Sequence, residues 1–301
     1  MTEGNPTTIE AAGAKRSARV VEYVELTKPR LTMLSVLTTL GGFYMASQGA
    51  LDVPLLVHTI IGTSMCGAGC GALNMFVERE HDAKMRRTMQ RPLPSGRLIP
   101  AEALLFGLIL AVGGVTYLAL AVNLLTAILG AATVVSYVLL YTPLKRLSTL
   151  NTVVGAIPGA LPPVMGWAAV RGSLDIEALV LFALLFFWQM PHFLALAWMY
   201  RNDYERAGYK ILSVLDRDGG STSRQILLYT SALLPVSLLG TTIGMTGPYY
   251  FYSALALGVG FLALGLRLAF TRKNKHAKHL FYYSLLYLPL IMLAMALDRL
   301  S

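Results

Sequence analysis

The sequence predicts an all-α protein, a polytopic membrane bundle of nine transmembrane helices, and three observations support this prediction. Hydrophobic residues make up 55% of the 301 residues and charged residues only 14%, whereas a soluble domain usually has about 25% charged residues. Nine apolar segments approach the length of about 20 residues that a helix needs to cross a bilayer. The lysines and arginines also fall almost entirely on one side of such a bundle.

The predicted spans are hydrophobic runs separated by polar or turn-forming residues. Residues 122–123 provide a tight polar turn between the third and fourth spans, and residues 246–248 do the same between the seventh and eighth. The fifth span contains three prolines and is expected to be kinked or broken, because proline lacks a donor and clashes with the preceding turn. The spans cover approximately residues 31–48, 53–77, 99–120, 122–143, 150–170, 176–199, 226–246, 248–269 and 279–298.

Charge predicts how the bundle is oriented. Of the 25 lysines and arginines, only Arg171 and Arg299 would lie on the side opposite to the other 23. Because cytoplasmic loops are enriched in these residues, we expect a cytoplasmic N-terminus, an outside C-terminus and a location in the cell membrane. The bias also accounts for the net charge of +9 without nucleic acid as a partner. Residues 1–26 are predicted to be a polar cytoplasmic arm, and residues 27–301 a single transmembrane domain.

The two cysteines, Cys66 and Cys70, lie four residues apart within the second apolar segment. This spacing stacks them on one face of a helix, where the backbone geometry does not suit a disulfide. A zinc site would need more ligands than this segment offers. Both cysteines are therefore predicted to be small buried thiols.

An amide and two carboxylates recur at every fourth residue at the end of the second span, as Asn74, Glu78 and Asp82. If the helix continues through them, they line one face about one turn apart. Their oxygens are hard ligands of the kind that Mg²⁺ uses when it also holds substrate phosphates. The cations that could hold the phosphates follow directly and are Lys84, Arg86, Arg87 and Arg91. The alternative for these cations is a solvated helix end whose charges only set the topology.

A second polar loop follows the sixth span and also combines acids with bases. Asp203 lies in this loop close to Arg201, Glu205, Arg206 and Lys210. Lys145 and Arg146 follow the fourth span on the same side, where they either contact substrate or serve as topology anchors. Two such clusters at one membrane face suggest that the protein binds a polyanion bridged by metal.

These clusters resemble the motifs of the intramembrane prenyltransferases of the UbiA superfamily, and within it those of the members that farnesylate haem. Two positions depart from the family's pattern: Glu78 stands where an Asp is usual, and the second motif has one clear match, Asp203, where the family has two Asp residues four apart. The resemblance extends from residue 28 to about residue 215. It rests on Lys28-Pro29-Arg30, Asn74-x3-Glu78-x3-Asp82, the run from Arg91 to Gly96, the run from Tyr141 to Arg146, Asn151 through Pro163, the run from Trp188 to Phe193, Asp203-Tyr204 and Ala207-Gly208.

The resemblance implies nine transmembrane helices around a central cavity that opens to the cytoplasmic face and laterally to membrane lipid. Residues 27–301 would then be a single transmembrane prenyltransferase domain. It also implies Mg²⁺-dependent transfer of the farnesyl group from farnesyl diphosphate to a vinyl group of haem b, giving haem O and diphosphate. The product would pass to a downstream haem A synthase or terminal oxidase assembly. The metal would be held by Asn74, Glu78, Asp82 and Asp203, and the diphosphate by Arg86, Arg91, Lys145, Arg146 and Arg201.

The chemistry of these residues agrees with that expectation. An allylic C–O bond ionises only if the departing diphosphate is neutralised, and carboxylate-bound Mg²⁺ together with basic side chains supplies that neutralisation. The carbocation needs a dry apolar chamber, and the farnesyl chain needs an apolar slot. A membrane bundle provides both.

His192 is the histidine best placed to contact haem, because it lies well inside the sixth span beside Gln189 and Pro191. Ionisable residues within a membrane are usually functional, and histidine is a common ligand of haem iron. A buried histidine that only packs is the alternative. If the sixth helix continues to Asp203, His192 and the metal would lie about 16 Å apart along its axis. A haem can bridge much of that gap, whereas a single benzoate ring cannot.

Two other functions stay open at the level of sequence. A sister prenyltransferase that acts on an aromatic acid or a quinone precursor would have the same metal site and another acceptor pocket. A polytopic transporter would place ionisable groups near the bilayer midplane, often at broken helices. The acidic clusters here lie at the membrane edge instead, which favours an enzyme.

Overall fold

The computed structural model describes residues 19–300, and this part of the chain is almost wholly helical. The helices confirm the predicted all-α class, and the one sheet-like feature within residues 19–300 is an isolated bridge between Thr246 and Arg299. Most of the predicted N-terminal arm, residues 1–18, lies outside the described residues. Residues 19–26 are helical and lead to the first long helix.

Nine helices of 18 residues or more form the bundle within the described range, and their bounds agree closely with the predicted segments. The fourth is an α-helix over Leu124–Val135, a π-helix over Ser136–Tyr141 and an α-helix again to Leu144. The nine helices are α1 Pro29–Ala46, α2 Val53–Asp82, α3 Pro100–Ala121, α4 Leu124–Leu144, α5 Asn151–Arg171, α6 Ile176–Met199, α7 Gly220–Thr242, α8 Pro248–Thr271 and α9 Asn274–Leu297.

Eight of these helices, α2 to α9, are long and apolar enough to cross a membrane, so the chain is a multi-pass membrane protein. α1 is less apolar because its 18 residues include Arg30 and several hydroxyl side chains. Thr38 and Thr39 are buried and each donates to the carbonyl of Ser35 in the same helix, at 2.9 Å. By length and composition the structure therefore supports eight of the nine predicted spans.

The fifth span, which was predicted to be kinked or broken, is not broken. α5 continues without interruption through Pro158, Pro162 and Pro163. It packs against α1, α4 and α6, and the side-chain amide of Gln189 in α6 donates to the carbonyl of Ala156 at 2.6 Å. This bond reinforces the contact between α5 and α6, and packing against three helices stabilises α5 although its prolines lack N–H donors.

The sixth helix ends before it reaches the second polar cluster. α6 stops at Met199, Tyr200 turns the chain, and the short helix Arg201–Arg206 follows. The assumption of one straight helix from His192 to Asp203 is therefore wrong. The distance of about 16 Å that depended on the rise per residue of such a helix does not apply.

α1 and α5 cross in close contact because each presents a glycine to the backbone of the other. Gly42 lies against the carbonyl of Pro163, and Gly166 lies against the carbonyl of Thr39. A Cβ atom on either glycine would collide with backbone atoms, which cannot move aside as the end of a flexible side chain can. Small residues at a crossing let two membrane helices approach closely, and here they hold α1 inside the bundle.

The tight turns predicted at residues 122–123 and 246–248 are both present. In the first, the side chain of Asn123 caps the N-terminal turn of α4. In the second, the N–H of Gly247 donates to the carbonyl of Asp298 at 2.8 Å, which ties this turn to the end of α9. The two cysteines are free and buried, as predicted.

Candidate active site

A cavity of about 350 Å³ lies inside the bundle, a size typical of small-molecule sites. It is lined by side chains of α1, α2, α4, α5, α6 and α9 and of the segments that follow α2, α4 and α6. One group of lining residues lies at helix ends and is charged or polar. Another group lies within α6 and is aromatic or apolar. The cavity therefore joins a polar site to an apolar chamber.

The first predicted motif lies on the wall of this cavity. Because α2 extends to Asp82, the side chains of Asn74, Glu78 and Asp82 share one helix face, and all three line the cavity. They are 1%, 4% and 0% exposed, respectively. Charged groups buried to this degree need partners, because they have lost their hydration. Each member of the motif has a cationic partner from another part of the chain.

The amide of Asn74 is held at both of its polar atoms. Its Oδ1 accepts a hydrogen bond from Lys28 Nζ, and its Nδ2 donates to Thr142 Oγ1 at 3.0 Å. Thr142 in turn donates to the carbonyl of Tyr137 at 2.8 Å, in the π-helical part of α4. Burial, together with the positive charge of Arg91, lowers the pKa of Lys28 to about 7. The carboxylates of Glu78 and Asp82 oppose this lowering of the pKa, and an anionic ligand beside Lys28 would favour its charged form further.

Glu78 forms an ion pair with the residue that follows α4. Its Oε1 lies 2.7 Å from Lys145 Nζ, and that ammonium lies 4.5 Å from the centroid of the Tyr141 ring. The carbonyl of Lys145 accepts from the N–H of Lys210 at 2.8 Å, so the segment after α4 is tied both to α2 and to the loop after α6. Burial alone would favour the neutral amine, but the Glu78 carboxylate raises the pKa of Lys145 well above its ordinary value.

Asp82 and Tyr209 each bring an unpaired polar atom to the site. Asp82 Oδ2 lies 2.6 Å from Arg91 Nη1, whereas its Oδ1 is buried and has no hydrogen-bond partner among the described residues. Tyr209 lines the cavity at 3% exposure, and its hydroxyl is also buried without a partner in this part of the chain. Burial raises the pKa of Tyr209, so the hydroxyl stays protonated and can donate. A bound cation and a bound anion would satisfy these two atoms.

The donor set at this site fits Mg²⁺ that is shared with a substrate phosphate. Within residues 19–300 no group of three His, Cys, Asp or Glu side chains is arranged to hold a metal ion. Mg²⁺ commonly binds through only one or two carboxylates and takes its remaining ligands from water and phosphate oxygens. Asn74, Glu78 and Asp82 offer an amide oxygen and two carboxylates on one face, and Asp82 Oδ1 is free to accept a cation.

Asp203, the predicted residue of the second motif, lies beside the cavity and does not line it. It is 9% exposed and forms an ion pair with Arg206 in the same short helix. Its neighbour Tyr204 lines the cavity instead, and Glu205 is exposed. The metal-binding role of Asp203 stays a prediction.

The predicted diphosphate ligands divide into two groups. Arg91 and Lys145 line the cavity, whereas three other arginines are off its wall. Arg86 is exposed at the surface. Arg146 donates to a backbone carbonyl of α2 at 2.9 Å, and the guanidinium of Arg201 lies 4.6 Å from a ring centroid of Trp198. For these three arginines, contact with diphosphate stays a prediction.

Lys28 and Tyr209 line the cavity but are not among the site residues predicted from sequence, whereas Arg87, which also lines it, is one of the predicted phosphate-binding cations. Lys28 precedes α1 with a left-handed φ of 49°, and its place at the edge of the first span is the feature that could have identified it. Arg87 lines the cavity and donates to the Tyr204 hydroxyl at 3.3 Å, whereas the adjacent Arg86 does not line it. No sequence pattern distinguishes two consecutive arginines or selects one tyrosine from a loop.

His192 lies in the apolar part of the cavity with its ring fixed from several sides. It stacks on Trp188 with ring centroids 5.3 Å apart and on Phe281 of α9 with centroids 4.7 Å apart. Its Nδ1 is 2.7 Å from Ser284 Oγ, and its Nε2 has no hydrogen-bond partner among the described residues. One ring nitrogen is thus engaged by the protein, and the other is available.

Comparisons with known proteins identify the family of this chain. The sequence profile of the UbiA prenyltransferase family matches residues 35–288. A protein of Solibacter usitatus (strain Ellin6076) named protoheme IX farnesyltransferase is 50% identical over 287 residues, which cover 92% of this chain and 98% of that one. A protein of the same name from Koribacter versatilis (strain Ellin345) is 43% identical over 289 residues, covering 92% and 93% of the two chains.

Solved structures share the arrangement of helices. A digeranylgeranylglyceryl phosphate synthase aligns with a TM-score of 0.79 at 15% identity, covering 93% of this chain and 98% of that one. A UbiA homolog from Archaeoglobus fulgidus, solved with DMAPP and Mg²⁺, aligns with a TM-score of 0.65 at 15% identity, covering 91% and 99%. At these identities the likeness shows the fold alone.

Proposed function

This chain belongs to the UbiA prenyltransferase family, and from that premise we propose that it is a protoheme IX farnesyltransferase. It transfers the farnesyl group of farnesyl diphosphate to a vinyl group of haem b and releases haem O and diphosphate. Relatives of that name, at 50% and 43% identity, match more than nine tenths of the chain. The haem O formed would be passed to a haem A synthase or to the assembly of a terminal oxidase.

The observation that carries the proposal is that a single cavity has a polar, charged end and an apolar end. At the polar end, buried carboxylates are paired with Arg91 and Lys145, and Lys28 adds a third basic side chain. At the other end are aromatic and apolar side chains around His192. Farnesyl diphosphate has the same division, with an anionic head and an apolar chain. Haem b adds a broad apolar ring with an iron atom that a histidine can bind.

We propose that Asn74, Glu78 and Asp82 hold Mg²⁺ and that Asp203 contributes from the loop after α6. When bound, the cation would neutralise the diphosphate leaving group. Support comes from the donor set on α2 and from the free Oδ1 of Asp82. The Archaeoglobus homolog, which has the same fold, was solved with both Mg²⁺ and a prenyl diphosphate.

The chain's own side chains would bind and orient the diphosphate. Arg91 and Lys145 line the cavity and can share their charge between a carboxylate and phosphate oxygens. Lys28 and Tyr209 supply two further donors, one from the start of α1 and one from the loop after α6. Three other arginines do not line the cavity: Arg86, Arg146 and Arg201. They would therefore contribute less to diphosphate binding than Arg91 and Lys145.

The reaction then forms an allylic cation, which must be protected from water. The side chains of Leu185, Phe193 and Leu196 line the cavity beside His192 and keep water from the allylic cation until it has reacted. Breaking the C–O bond sends its electron pair to the diphosphate, and the π electrons of the haem vinyl group form the new C–C bond. The positive charge is left on the former vinyl carbon next to the porphyrin ring, where a water molecule adds and loses a proton to give the hydroxyl group of haem O. His192 would hold the iron of haem b and so place the acceptor.

We further propose that α1 crosses the membrane as a ninth span, with the N-terminus in the cytoplasm and the C-terminus outside. The glycine contacts hold α1 against α5, one of the eight apolar spans, over much of its length. With nine spans, nearly all lysines and arginines lie on one side. The polar end of the cavity, at Lys28, Asp82 and Lys145, would then open to the cytoplasmic face of the cell membrane.

A sister prenyltransferase acting on an aromatic acid or a quinone precursor is the second candidate. It would use the same cluster on α2 and would differ only in the acceptor. His192 favours haem, because a benzoate or quinone ring offers no metal ion for a free ring nitrogen to bind. Membership of a prenyltransferase family leaves no support for the transporter that the sequence alone left open.

The test is to express the chain in a bacterial strain that lacks haem O and to extract the haems. The expected result is haem O in the strain with the wild-type chain and only haem b in a strain with the Asp82→Ala variant. Purified protein is assayed in parallel with farnesyl diphosphate and either haem b or an aromatic acid, with and without Mg²⁺. Prenylation of the aromatic acid and not of haem b would overturn the acceptor assignment.

A further inference from the structure

Ser284 of α9 is within hydrogen-bonding distance of the ring of His192, which also stacks on Phe281 of the same helix. Ser284 is fully buried and faces α6. Its carbonyl accepts a hydrogen bond from Trp188 Nε1 at 2.8 Å, and its hydroxyl is 2.7 Å from His192 Nδ1. Two successive turns of α6 are thus attached to one residue of α9.

The direction of the contact between Ser284 and His192 follows from counting protons. A serine hydroxyl has one hydrogen, and that of Ser284 is donated to the carbonyl of Phe281 at 2.5 Å. Its oxygen can therefore act toward His192 only as an acceptor. Nδ1 of His192 must then carry the proton, and in a neutral imidazole Nε2 is left with a free lone pair.

The free nitrogen is accessible from the cavity. His192 lines the cavity, and Nε2 is neither hydrogen-bonded nor among the buried unpaired atoms of the described residues. Stacking on Trp188 at an interplanar angle of 21° and on Phe281 at 27° prevents the ring from turning over. The ring is therefore fixed in orientation and in tautomer before any ligand arrives.

We propose that Ser284 is a positioning residue that holds His192 as the Nδ1–H tautomer, so that Nε2 can bind the iron of haem b. This proposal rests on the proposed function, because it concerns the same acceptor site. Histidine ligands of metals usually donate their other N–H to a neighbouring acceptor, which fixes the tautomer and raises the basicity of the ligand. Loss of such an acceptor typically lowers metal affinity about 10- to 100-fold.

The tautomer can be measured without haem. The full chain is labelled with ¹⁵N-histidine, and nitrogen NMR in detergent or nanodiscs distinguishes a protonated from an unprotonated ring nitrogen. The His192→Gln variant assigns the signals among the five histidines. We expect protonated Nδ1 and unprotonated Nε2 in the wild type, and loss of that preference in Ser284→Ala. The Ser284→Thr variant keeps a hydroxyl and should restore the wild-type tautomer.

A matched control is Ser237→Ala in α7. Ser237 is also fully buried and also donates to a carbonyl of its own helix, at 2.7 Å, but it contacts no histidine. Its substitution should leave the His192 signals unchanged. The hydrogen bond from Trp188 Nε1 to the backbone carbonyl of residue 284 does not involve the serine side chain. It is therefore kept in Ser284→Ala, and that variant is expected to fold.

Haem b is then titrated into each variant while the Soret band is followed. We expect Ser284→Ala to weaken binding about 10- to 100-fold, Ser284→Thr to recover it and Ser237→Ala to match the wild type. A wild-type His192 with its proton on Nε2 would overturn the proposal, and so would a Ser284→Ala variant with unchanged tautomer and haem affinity. The NMR result needs no catalysis and is therefore independent of whether haem O is formed. Whether the proposed reaction occurs is determined separately, by extracting the haems.

Discussion

Lys145 Nζ lies 2.7 Å from Glu78 Oε1, and this ion pair joins two residues that are 67 positions apart in the chain. The side chains of the two residues are 13% and 5% exposed, so each charge depends on the other for compensation. The pair also connects a residue proposed to hold Mg²⁺ with a residue proposed to hold diphosphate. We therefore expect the two residues to contribute to both stability and catalysis, and variants can separate the two contributions.

Removing one member of this pair should leave the other buried and uncompensated. We expect Glu78→Gln and Lys145→Met each to lower the free energy of unfolding by about 3–5 kcal/mol. The double variant should recover most of that stability, because no unpaired charge remains, but it should stay inactive in farnesyl transfer. Chemical unfolding followed by tryptophan fluorescence, with activity on the same samples, gives the comparison. A double variant that is as active as the wild type would remove both residues from the site.

The carboxylates on the cavity-facing side of α2 should be essential for turnover, and those on its exposed side should not be. Asp82→Ala should reduce turnover at least about 100-fold, since loss of metal-borne charge stabilisation raises the barrier by several kcal/mol. Glu80→Ala is the matched control, because that side chain is 75% exposed on the same helix. Glu78→Asp, which restores the residue usual in the family, should keep substantial activity. Turnover is measured over a range of Mg²⁺ concentrations, and a loss of only about twofold in Asp82→Ala would contradict the metal role.

Tyr209→Phe should weaken substrate binding and leave the fold intact or more stable. The hydroxyl is buried without a partner among the described residues, so its removal relieves an unpaired polar group in the unliganded protein. With diphosphate bound, the same removal should cost about 1.5–3 kcal/mol, the usual value for a hydrogen bond to a charged group. The affinity for farnesyl diphosphate should therefore fall about 10-fold or more. Tyr229→Phe, outside the cavity wall, serves as the control, and equal affinities in both variants would exclude the proposed donor role.

The α1–α5 crossing should tolerate no side chain at its two glycines. Gly42→Ala and Gly166→Ala each place a methyl group against a backbone carbonyl, and overpacking of this kind usually costs about 1–3 kcal/mol. Gly258→Ala in α8 should be nearly neutral, because its Cβ would meet Leu234 Cγ at 3.4 Å, an ordinary contact. Thermal unfolding in detergent distinguishes the two classes. Equal melting temperatures for all three variants would show that α1 and α5 can separate at little cost.

The number of spans has a direct test. Compartment reporters are fused at the C-terminus and within residues 200–219, the segment between α6 and α7. With nine spans and the charge distribution of this chain, the internal fusion should report the cytoplasm and the C-terminal fusion the outside. Reporters in the same compartment would contradict the proposed orientation of α7 to α9. A third fusion just before Lys28 tests whether α1 crosses.

Much of this protein could be predicted from local features of its sequence. Helix bounds agree to within a few residues for most spans, because the length of an apolar run is set by the thickness of the bilayer. The shared face of Asn74, Glu78 and Asp82 also followed from sequence, since a spacing of four residues places side chains on one side of any α-helix. Family membership was predictable for the same reason, because its motifs are short and continuous.

Other features were decided only by the tertiary structure. Whether α5 breaks at its prolines depends on helices that pack beside it, and the choice of Arg87 over Arg86 for the cavity wall depends on how one loop is folded. The pairing of Glu78 with Lys145 and of His192 with Ser284 joins residues that are 67 and 92 positions apart. Sequence determines what each segment can form by itself, because periodicity and hydropathy are local. Which buried charge meets which partner, and which ring nitrogen stays free, depends on contacts that exist only after the helices have packed.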